Sequence, residues 1–341
     1  MNSGIVTIKD IARELRISPS TVSRALKNHP DISEETKAAV NELARRFNYQ
    51  PNAVALSLKQ KRSNTIGVII PEIVHYFFSS VISGIEDVAY DAGFNVIICQ
   101  SNEKYDREVV NTRTLLANRV DGILVSISKE TQQFDHFQKV RENEVPLVFY
   151  DRIVPGFAAD QVIVDDKDAA YRATKHMIDG GCKQIAHFAG PQNLLIGQLR
   201  KEGYLTALRE AGLEIKNEWI VEADNFEKAR IAVLEMLDGK HKIDGIFAVN
   251  DTTAIGAMHT LQKRGIKVPE QIAVVGFSDG RLSGITDPAL TSVDQHGYEM
   301  GTVATEILLK RIMSENKNYP FETRILNADL IVRGSSVKEF L

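Results

Sequence analysis

The sequence predicts an α/β protein with a small helix-turn-helix head at its N-terminus and a two-lobed core of parallel sheets flanked by helices. Apolar residues at helical spacing recur three times within the first 50 residues. From about residue 65 onward, short apolar runs rich in β-branched residues alternate with helical stretches. This alternation is the pattern of βαβ units and parallel sheets. The runs form two successive sets, which predict two similar lobes.

The head is predicted over residues 5–50. Its three apolar stripes can close one small core; they are Ile8, Ile11, Ala12 and Leu15, then Val22, Ala25 and Leu26, then Val40, Leu43, Ala44 and Phe47. Ser18 is a good N-cap and Pro19 suits a first helical position, so the second helix follows the first after a very short turn. Two helices joined by so tight a turn predict a helix-turn-helix. Ser33 is the expected cap of the third helix.

A connector is predicted over residues 51–64, with the sequence PNAVALSLKQKRSN. Pro51 ends the preceding helix, and Asn52 is placed to cap a short helix that runs to about Lys59. A helix of this length is unstable alone in water. We therefore expect it to order only against a partner, with a solvated linker after it.

Charge is distributed unevenly along the chain. The whole sequence of 341 residues carries −4, but residues 1–62 carry +5 and the remainder carries −9. A basic head on an acidic body is expected when one end of a protein meets a polyanion. The 43% apolar and 25% charged residues are otherwise ordinary for a globular chain with room for two or three domains.

Several function classes have no support in the sequence. Cys99 and Cys182 are the only cysteines and belong to no CxxC or Cys/His cluster, so neither a disulfide framework nor a zinc site is expected. The N-terminus, MNSGIVTIKDI, does not have the pattern of a signal peptide, and no apolar run approaches the roughly 20 residues that span a bilayer. No phosphate loop or nucleophile elbow is present. We expect a cytoplasmic protein that is not an enzyme and needs no metal, cofactor or membrane.

The polar residues of the second helix suit DNA. In a major groove, Ser20, Thr21 and Arg24 would face base edges, and an arginine can bond guanine in a bidentate way. Other hydroxyls suit phosphate contacts, which set the register without reading sequence. These hydroxyls belong to Thr7, Ser23, Ser33, Thr36 and Tyr49. The alternative is that they are ordinary caps and exposed polar residues.

The order of motifs resembles that of the lactose-repressor (LacI/GalR) family. The resemblance starts with VTIKDIARELRISPSTVSRALKN and continues through ISEETKAAV, NYQPNAVALSL, NTIGVIIP, VDGILVS, YDR, AGP, RKEGY, FAVND, VVGF, DPALTSVDQ and LIVRGSS. It covers almost the whole chain. It implies a bacterial transcription regulator that binds a pseudo-palindromic operator in double-stranded DNA and responds to a small metabolite.

Position in the family assigns roles to the head and the connector. Ser20, Thr21 and Arg24 fall on the base-reading helix, and three connector residues fall on the hinge helix. These three are Asn52, Ala55 and Leu58. The resemblance implies that the hinge helices of two subunits enter the minor groove together and that Leu58 wedges between base pairs. The alternative for Leu58 is a linker residue packed on the body.

The resemblance also implies a core like that of periplasmic binding proteins, over residues 65–341, in which the chain crosses between lobes three times. The expected N-lobe spans about 65–160 and 293–322, and the expected C-lobe spans about 161–292 and 323–341. The segment SSVISGIEDVAYDAG lies where the family dimerises. No heptad repeat is visible near the C-terminus, so a homodimer is expected.

Residues that follow the core strands are the candidates for binding an effector, because open parallel sheets bind ligands at the carboxyl ends of their strands. They are His75, Phe77, Phe78, Asp151, Arg152, Arg200, Asn250, Asp251 and Ser278. Arg200 matches the family's ligand-binding arginine, and Ser278 stands where many members have an aspartate. The alternatives are helix caps and loop residues, and for the two phenylalanines the core.

These side chains suit vicinal hydroxyls, so a sugar or sugar derivative is the expected effector. Leu194 and Ile196 stand where several members have polar contacts, which makes one wall of the cleft less polar. A nucleoside, a cleft without an effector, or control by a protein partner remain open. A sugar receptor without DNA is the other binding hypothesis, and the helix-turn-helix argues against it.

Overall fold

The computed structural model describes residues 6–49, 62–239, 242–315 and 319–338. The chain divides into two compact units, Met1–Ser63 and Asn64–Leu341. The predicted hinge residues Asn52, Ala55 and Leu58 lie outside the described residues, so their roles stay predictions.

The head contains three helices, α1 (Ile8–Leu15), α2 (Pro19–Leu26) and α3 (Glu34–Arg46), in its described part. Ser18 caps α2, because its Oγ accepts a hydrogen bond of 3.0 Å from the backbone N–H of Thr21. Arg16 follows α1 with a φ of 54°, in the left-handed region, which turns the chain sharply toward α2. The predicted helix-turn-helix is confirmed.

All three predicted stripes meet in one apolar cluster in the head. Ile11, Val22 and Val40 are fully buried and form its centre. The other stripe residues pack around them, together with Val6, Ile17, Ile32 and Tyr49. A core this small leaves one face of α2 free, and Arg24 lies on that exposed face.

The first sheet of the core is parallel throughout. In the described part of the chain it has six strands in the order β11-β5-β4-β3-β1-β2. The strands are β1 (Thr65–Ile70), β2 (Asn95–Gln100), β3 (Gly122–Val125), β4 (Leu147–Tyr150), β5 (Asp160–Val164) and β11 (Thr323–Leu326). Four helices accompany it, α4 (Tyr76–Asp91), α5 (Tyr105–Ala117), α6 (Asp135–Glu142) and α11 (Gly297–Met313).

The second sheet also has six strands among the described residues, in the order β12-β10-β9-β8-β6-β7. They are β6 (Ile185–Ala189), β7 (Ile220–Glu222), β8 (Gly245–Ala248), β9 (Ala273–Phe277), β10 (Thr291–Asp294) and β12 (Asp329–Ile331). Only the pair of β10 and β12 is antiparallel. Its helices are α7 (Asp166–Asp179), α8 (Leu195–Glu210), α9 (Phe226–Asp238) and α10 (Asp251–Lys263).

The strand pairing corrects the predicted lobe boundaries. β5 pairs with β4, and β11 pairs with β5, so both strands belong to the first lobe rather than to the second. β10 pairs with β9, which extends the second lobe to residue 294. The chain therefore crosses after β5, after β10 and after β11. The prediction was wrong by a few residues at each crossing because the alternation of strand and helix does not reveal which sheet a strand joins.

Helix α11 returns the chain to the first lobe and crosses α4 at unusually close range. Gly84 and Gly301 allow this approach. A Cβ at Gly301 would lie 2.1 Å from the backbone oxygen of Val81, and one at Gly84 would lie 2.1 Å from that of Tyr298. At its other end, α11 places Arg311 against Asp160 of β5, and both side chains are buried.

The core of the second lobe contains a buried histidine ring. His187 of β6 is fully buried and stacks between Tyr204 and Phe247, with ring centroids 5.1 and 5.0 Å away. Burial lowers the pKa of His187 to about 4. The folded protein thus holds this ring neutral at a pH where the unfolded chain, with an ordinary pKa of 6.5, binds a proton.

We predict that His187 destabilises the fold as pH falls. Its folded pKa lies below the unfolded value, so the contribution is absent above pH 6.5 and grows down to pH 4. Asp166 and Asp251 act in the opposite sense, because burial raises their pKa values to about 6. Both carboxyls are present in the wild type and in His187→Phe, so their contributions cancel in the difference between the unfolding free energies of the two proteins. This difference should fall by about 3 kcal/mol between pH 7 and pH 4 in urea titrations. A difference that stays constant with pH would contradict the prediction.

None of the helices in the described segments is long and apolar enough to span a membrane.

Candidate functional site

A cavity of about 640 Å³ opens in the core between the two sheets. Its walls come from the loops that follow the carboxyl ends of the strands, as expected for open parallel sheets. The nine predicted effector residues all line it: His75, Phe77, Phe78, Asp151, Arg152, Arg200, Asn250, Asp251 and Ser278. The structure therefore brings the whole set together, and their roles in binding stay predictions.

Arg152 and Asp151 follow β4 at the base of the cavity. The Nη1 of Arg152 lies 2.9 Å from both carboxylate oxygens of Glu103, and its buried Nε has no hydrogen-bond partner. Asp151 is only 6% exposed and accepts long hydrogen bonds of 3.3 Å from Ser126 Oγ and 3.5 Å from Gln295 Nε2. Burial raises the pKa of Asp151. Its carboxylate is thus weakly satisfied and faces the cavity.

Arg200 of α8 is held from three sides. Its Nε donates to Asp166 at 2.7 Å and its Nη1 donates to the Val249 carbonyl at 2.7 Å. The guanidinium also lies 3.7 Å from the ring centroid of Phe277. The Arg200 side chain is 5% exposed. Two of its five N–H donors are therefore used within the protein, and these two bonds fix the orientation of the fork at the cavity wall.

Asn250 and Asp251 lie at the start of α10 and form part of the cavity wall in the second lobe. The Asn250 side chain accepts from Thr253 N–H at 2.8 Å, so it is also a helix cap. Asp251 accepts from Gly280 N–H at 2.6 Å, and from the hydroxyls of Ser283 and Ser292. Asp251 thereby ties the loop after β9 to the start of α10.

Ser278 takes part in a hydrogen-bonded chain across the cavity floor. It has a φ of 107°, which is a strained backbone for a side chain. Its Oγ donates to Gln295 Oε1 at 2.9 Å, and Gln295 in turn donates to Asp151. Gln295 belongs to the segment that crosses from β10 to α11, so this chain joins both lobes.

The residues after β1 form the mouth and one apolar wall. His75 Nε2 lies 3.1 Å from Glu72 Oε2 at the mouth. Phe77 and Phe78 are 7% and 3% exposed, with their rings edge to face. Both phenylalanines belong to the apolar core and also line the cavity, and their role in effector binding stays a prediction.

Two further bridges between the lobes were missed by the sequence reasoning. Lys129 Nζ, after β3, lies 3.2 Å from Asp224 Oδ2, after β7. The backbone oxygen of Lys129 accepts from Asn193 Nδ2. Leu194, which the sequence placed on a less polar wall, packs in the apolar cluster of the first lobe. Glu103, Lys129 and Asp224 each follow a strand, so the strand-end rule would have found them had it been applied to β2, β3 and β7.

The head presents a second candidate site, on the exposed face of α2. Arg24 is exposed and makes no ion pair among the described residues. The hydroxyls of Ser20 and Thr21 lie 2.6 and 2.8 Å from Ser18 Oγ, so both also support the cap of α2. Ser23 is half-buried on the same helix.

The hydroxyls predicted to contact phosphate have local partners as well. Thr7 Oγ1 donates to Asp10 at 2.6 Å, and Ser33 Oγ lies 2.9 Å from Thr36 Oγ1 at the start of α3. Tyr49 is half-buried against the apolar cluster of the head. These residues serve the fold of the head, which is the alternative reading, and their roles at phosphate stay predictions.

Comparison with known proteins identifies the family of both the head and the core. Residues 7–52 match the model of bacterial regulatory proteins of the lacI family, and residues 63–331 match the model of periplasmic binding proteins and the sugar binding domain of the LacI family. The chain belongs to the LacI family. Members of the LacI family are DNA-binding transcriptional regulators rather than enzymes, and this chain is such a regulator.

Individual LacI-family relatives match over nearly their whole length. Catabolite control protein A of Priestia megaterium is 36% identical and covers 91% of this chain and 93% of its own. The HTH-type transcriptional repressor PurR of Vibrio vulnificus is 34% identical over 98% of this chain and 99% of its own. The structure of the transcriptional regulator CelR in complex with cellobiose superposes with a TM-score of 0.74 at 26% identity, covering 97% and 99% of the two chains.

Proposed function

We propose that this LacI-family regulator represses transcription as a homodimer on a pseudo-palindromic operator and is controlled by a sugar or sugar derivative. The observation that carries the proposal is the convergence of all nine predicted effector residues on one cavity between the two sheets. Arginine, aspartate and asparagine side chains beside an apolar wall suit the edges and faces of a sugar ring. The bound cellobiose of the CelR structure supports a carbohydrate.

The DNA contacts follow from the exposed face of α2. Arg24, Ser20 and Thr21 would read base edges in the major groove. The hydroxyl of Ser23 and the predicted hydroxyls outside α2 would contact phosphates. In the hinge, Asn52 and Ala55 would enter the minor groove with Leu58, whose side chain would open a base step. Two copies of this arrangement would match the two halves of a pseudo-palindrome.

Exposed apolar residues on the core support the homodimer. Tyr90 on α4 is 82% exposed, and Ile97 and Ile98 lie exposed on β2, an edge strand. In the second lobe, Leu282 and Ile285 are 58% and 77% exposed. Apolar residues clustered at a sheet edge favour association between copies.

Control by the effector would act through the angle between the lobes. The bridges from Lys129 to Asp224 and from Gln295 to Asp151 and Ser278 border the cavity. An effector that competes with them or adds to them changes the relative stability of two lobe arrangements. The two hinges would then fit the operator differently, which couples the two ligands thermodynamically.

The test is a selection of full-length protein on a pool of random duplexes, followed by affinity measurements with and without a carbohydrate panel. We expect enrichment of a two-fold symmetric sequence that binds two chains, and at least one sugar that changes its affinity. Arg24→Ala should remove the base preference at one symmetric pair of positions in the enriched sequence. Enrichment of no symmetric sequence would contradict the proposed operator and dimer, and a response to nucleosides alone would contradict the carbohydrate.

A further inference from the structure

Cations inside the cavity are already neutralised by the protein. Arg152 is paired with Glu103, Arg200 with Asp166, and Lys129 with Asp224. Arg281 differs, because it lies on the exposed rim and stacks at 5.5 Å over the ring of Tyr76. An anionic ligand in the interior would therefore meet, among the described residues, only cations that already have a carboxylate partner.

Carboxylates exceed cations in the same interior. Besides Glu103 and Asp224, which are paired, Asp151 and Asp251 also line the cavity. Asp251 is saturated by three donors from its own lobe. Asp151 is not, since its two hydrogen bonds are long and its nearest cationic nitrogen, Arg152 Nε, is 3.8 Å away. The interior thus offers an acceptor for a ligand's O–H or N–H and no unpaired cation for a phosphate.

Among these acids, Glu103 is the one that most directly decides whether a cation of the cavity is neutralised, because it pairs with Arg152. It is 7% exposed, and it occupies the left-handed region with a φ of 59°, directly after Asn102 with a φ of 51°. Two successive non-glycine residues in that region are unfavourable, and such strain persists only where the surroundings impose it. Here the Lys129 N–H donates to Glu103 Oε2 at 2.8 Å while Arg152 binds both oxygens.

We propose that Glu103 is a specificity-determining residue that makes the cavity select uncharged, hydroxyl-rich ligands over ligands that carry a phosphate or carboxylate. The inference rests on the proposed function, since it concerns the effector of the same cavity. Both carboxylate oxygens of Glu103 contact the Nη1 of Arg152, and the Asp151 carboxylate lies 3.8 Å from the Nε of the same arginine. A ligand hydroxyl can donate to Asp151, whereas an anion is repelled by both acids.

The first test compares binding of inorganic phosphate by the full-length wild type, Glu103→Gln and Glu130→Gln. Glu130 is a matched control, because it pairs with Lys104 outside the cavity and is half exposed. Thermal unfolding is followed in phosphate and in chloride at equal ionic strength. Any binding of phosphate to the head is the same in all three proteins, so it cancels when the proteins are compared. Glu103→Gln should bind phosphate about 10-fold to 100-fold more tightly than the other two proteins, the range for a hydrogen bond to a charged group.

The second test uses calorimetry with ribose and ribose 5-phosphate and with glucose and glucose 6-phosphate. The wild type should bind no phosphorylated sugar more tightly than its uncharged parent, and this arm does not depend on any variant folding. Equal phosphate responses of Glu103→Gln and Glu130→Gln, or a wild type that prefers a phosphorylated sugar, would overturn the proposal. Either result leaves the operator selection untouched, so it can be told apart from a failure of the proposed function.

Discussion

Replacing Arg311 with leucine is expected to lower the unfolding free energy of the core by about 3–5 kcal/mol, the usual effect of removing one partner of a buried ion pair. Arg311 makes two hydrogen bonds to Asp160, one of them 2.7 Å long from Nη2 to Oδ1. It also donates to the carbonyls of Tyr319 and Pro320. Without the arginine, the fully buried Asp160 carboxylate would keep only its hydrogen bond from Glu322 N–H among its described donors.

Urea titration would measure this effect. Trp219 is the only tryptophan and is 2% exposed, so its fluorescence should report unfolding. The control is Lys175→Leu, because Lys175 pairs with Asp179 on the exposed face of α7, where solvent and salt screen such a pair and it contributes little to stability. The double variant Arg311→Leu with Asp160→Leu should recover much of the lost stability, since it leaves no buried charge. Equal losses in Arg311→Leu and Lys175→Leu would show that the buried pair contributes nothing.

Arg24→Ala is expected to weaken binding to the selected operator by about 1–3 kcal/mol per subunit, the discrimination of one bidentate contact between arginine and guanine. The effect should be confined to one symmetric pair of base positions, because each subunit would present one Arg24. Fluorescence anisotropy with the operator and with single-base variants would measure it. The Arg24→Ala protein should bind operators changed at that pair as tightly as it binds the original operator.

Arg45→Ala is the matched control for this experiment. Arg45 lies on α3, is 78% exposed and pairs only with Glu42 among the described residues. Its loss should leave base discrimination unchanged. If Arg24→Ala weakened binding to every duplex equally, Arg24 would be a phosphate contact, and its base-reading role would be wrong.

Local features of the sequence predicted the head and the composition of the cavity. The stripes around Ile11, Val22 and Val40 identified the core of the head because helical spacing places them on one side of each helix. The strand-end rule pointed to Asp151 and other candidates that line one cavity, and the resemblance to the family pointed to Arg200. That rule uses only the chain direction of parallel strands, and the order of the apolar runs indicates which residues follow each strand.

Pairing between distant side chains could not be predicted in this way. Nothing near Arg200 in the sequence indicates that Asp166 and the Val249 carbonyl use its donors, and nothing near Arg152 points to Glu103. The same holds for the strands, since β5 reads like any other apolar run and its partner is decided by the whole sheet. Local patterns thus predicted which residues meet, and tertiary contacts determined what each of them can still bind.

The late position of β11 and β12 has a consequence for synthesis of the chain on the ribosome. The first sheet is completed along β5 by Thr323–Leu326, and the second along β10 by Asp329–Ile331. Neither lobe can therefore finish folding while the other is still being translated, although most of the first lobe is made first. β5 and β10 remain exposed at an edge of their sheets until β11 and β12 have been made, and exposed edges are where strands of different chains join. Because β11 and β12 are only a few residues apart in the chain, the period of greatest risk of aggregation ends for both lobes almost together.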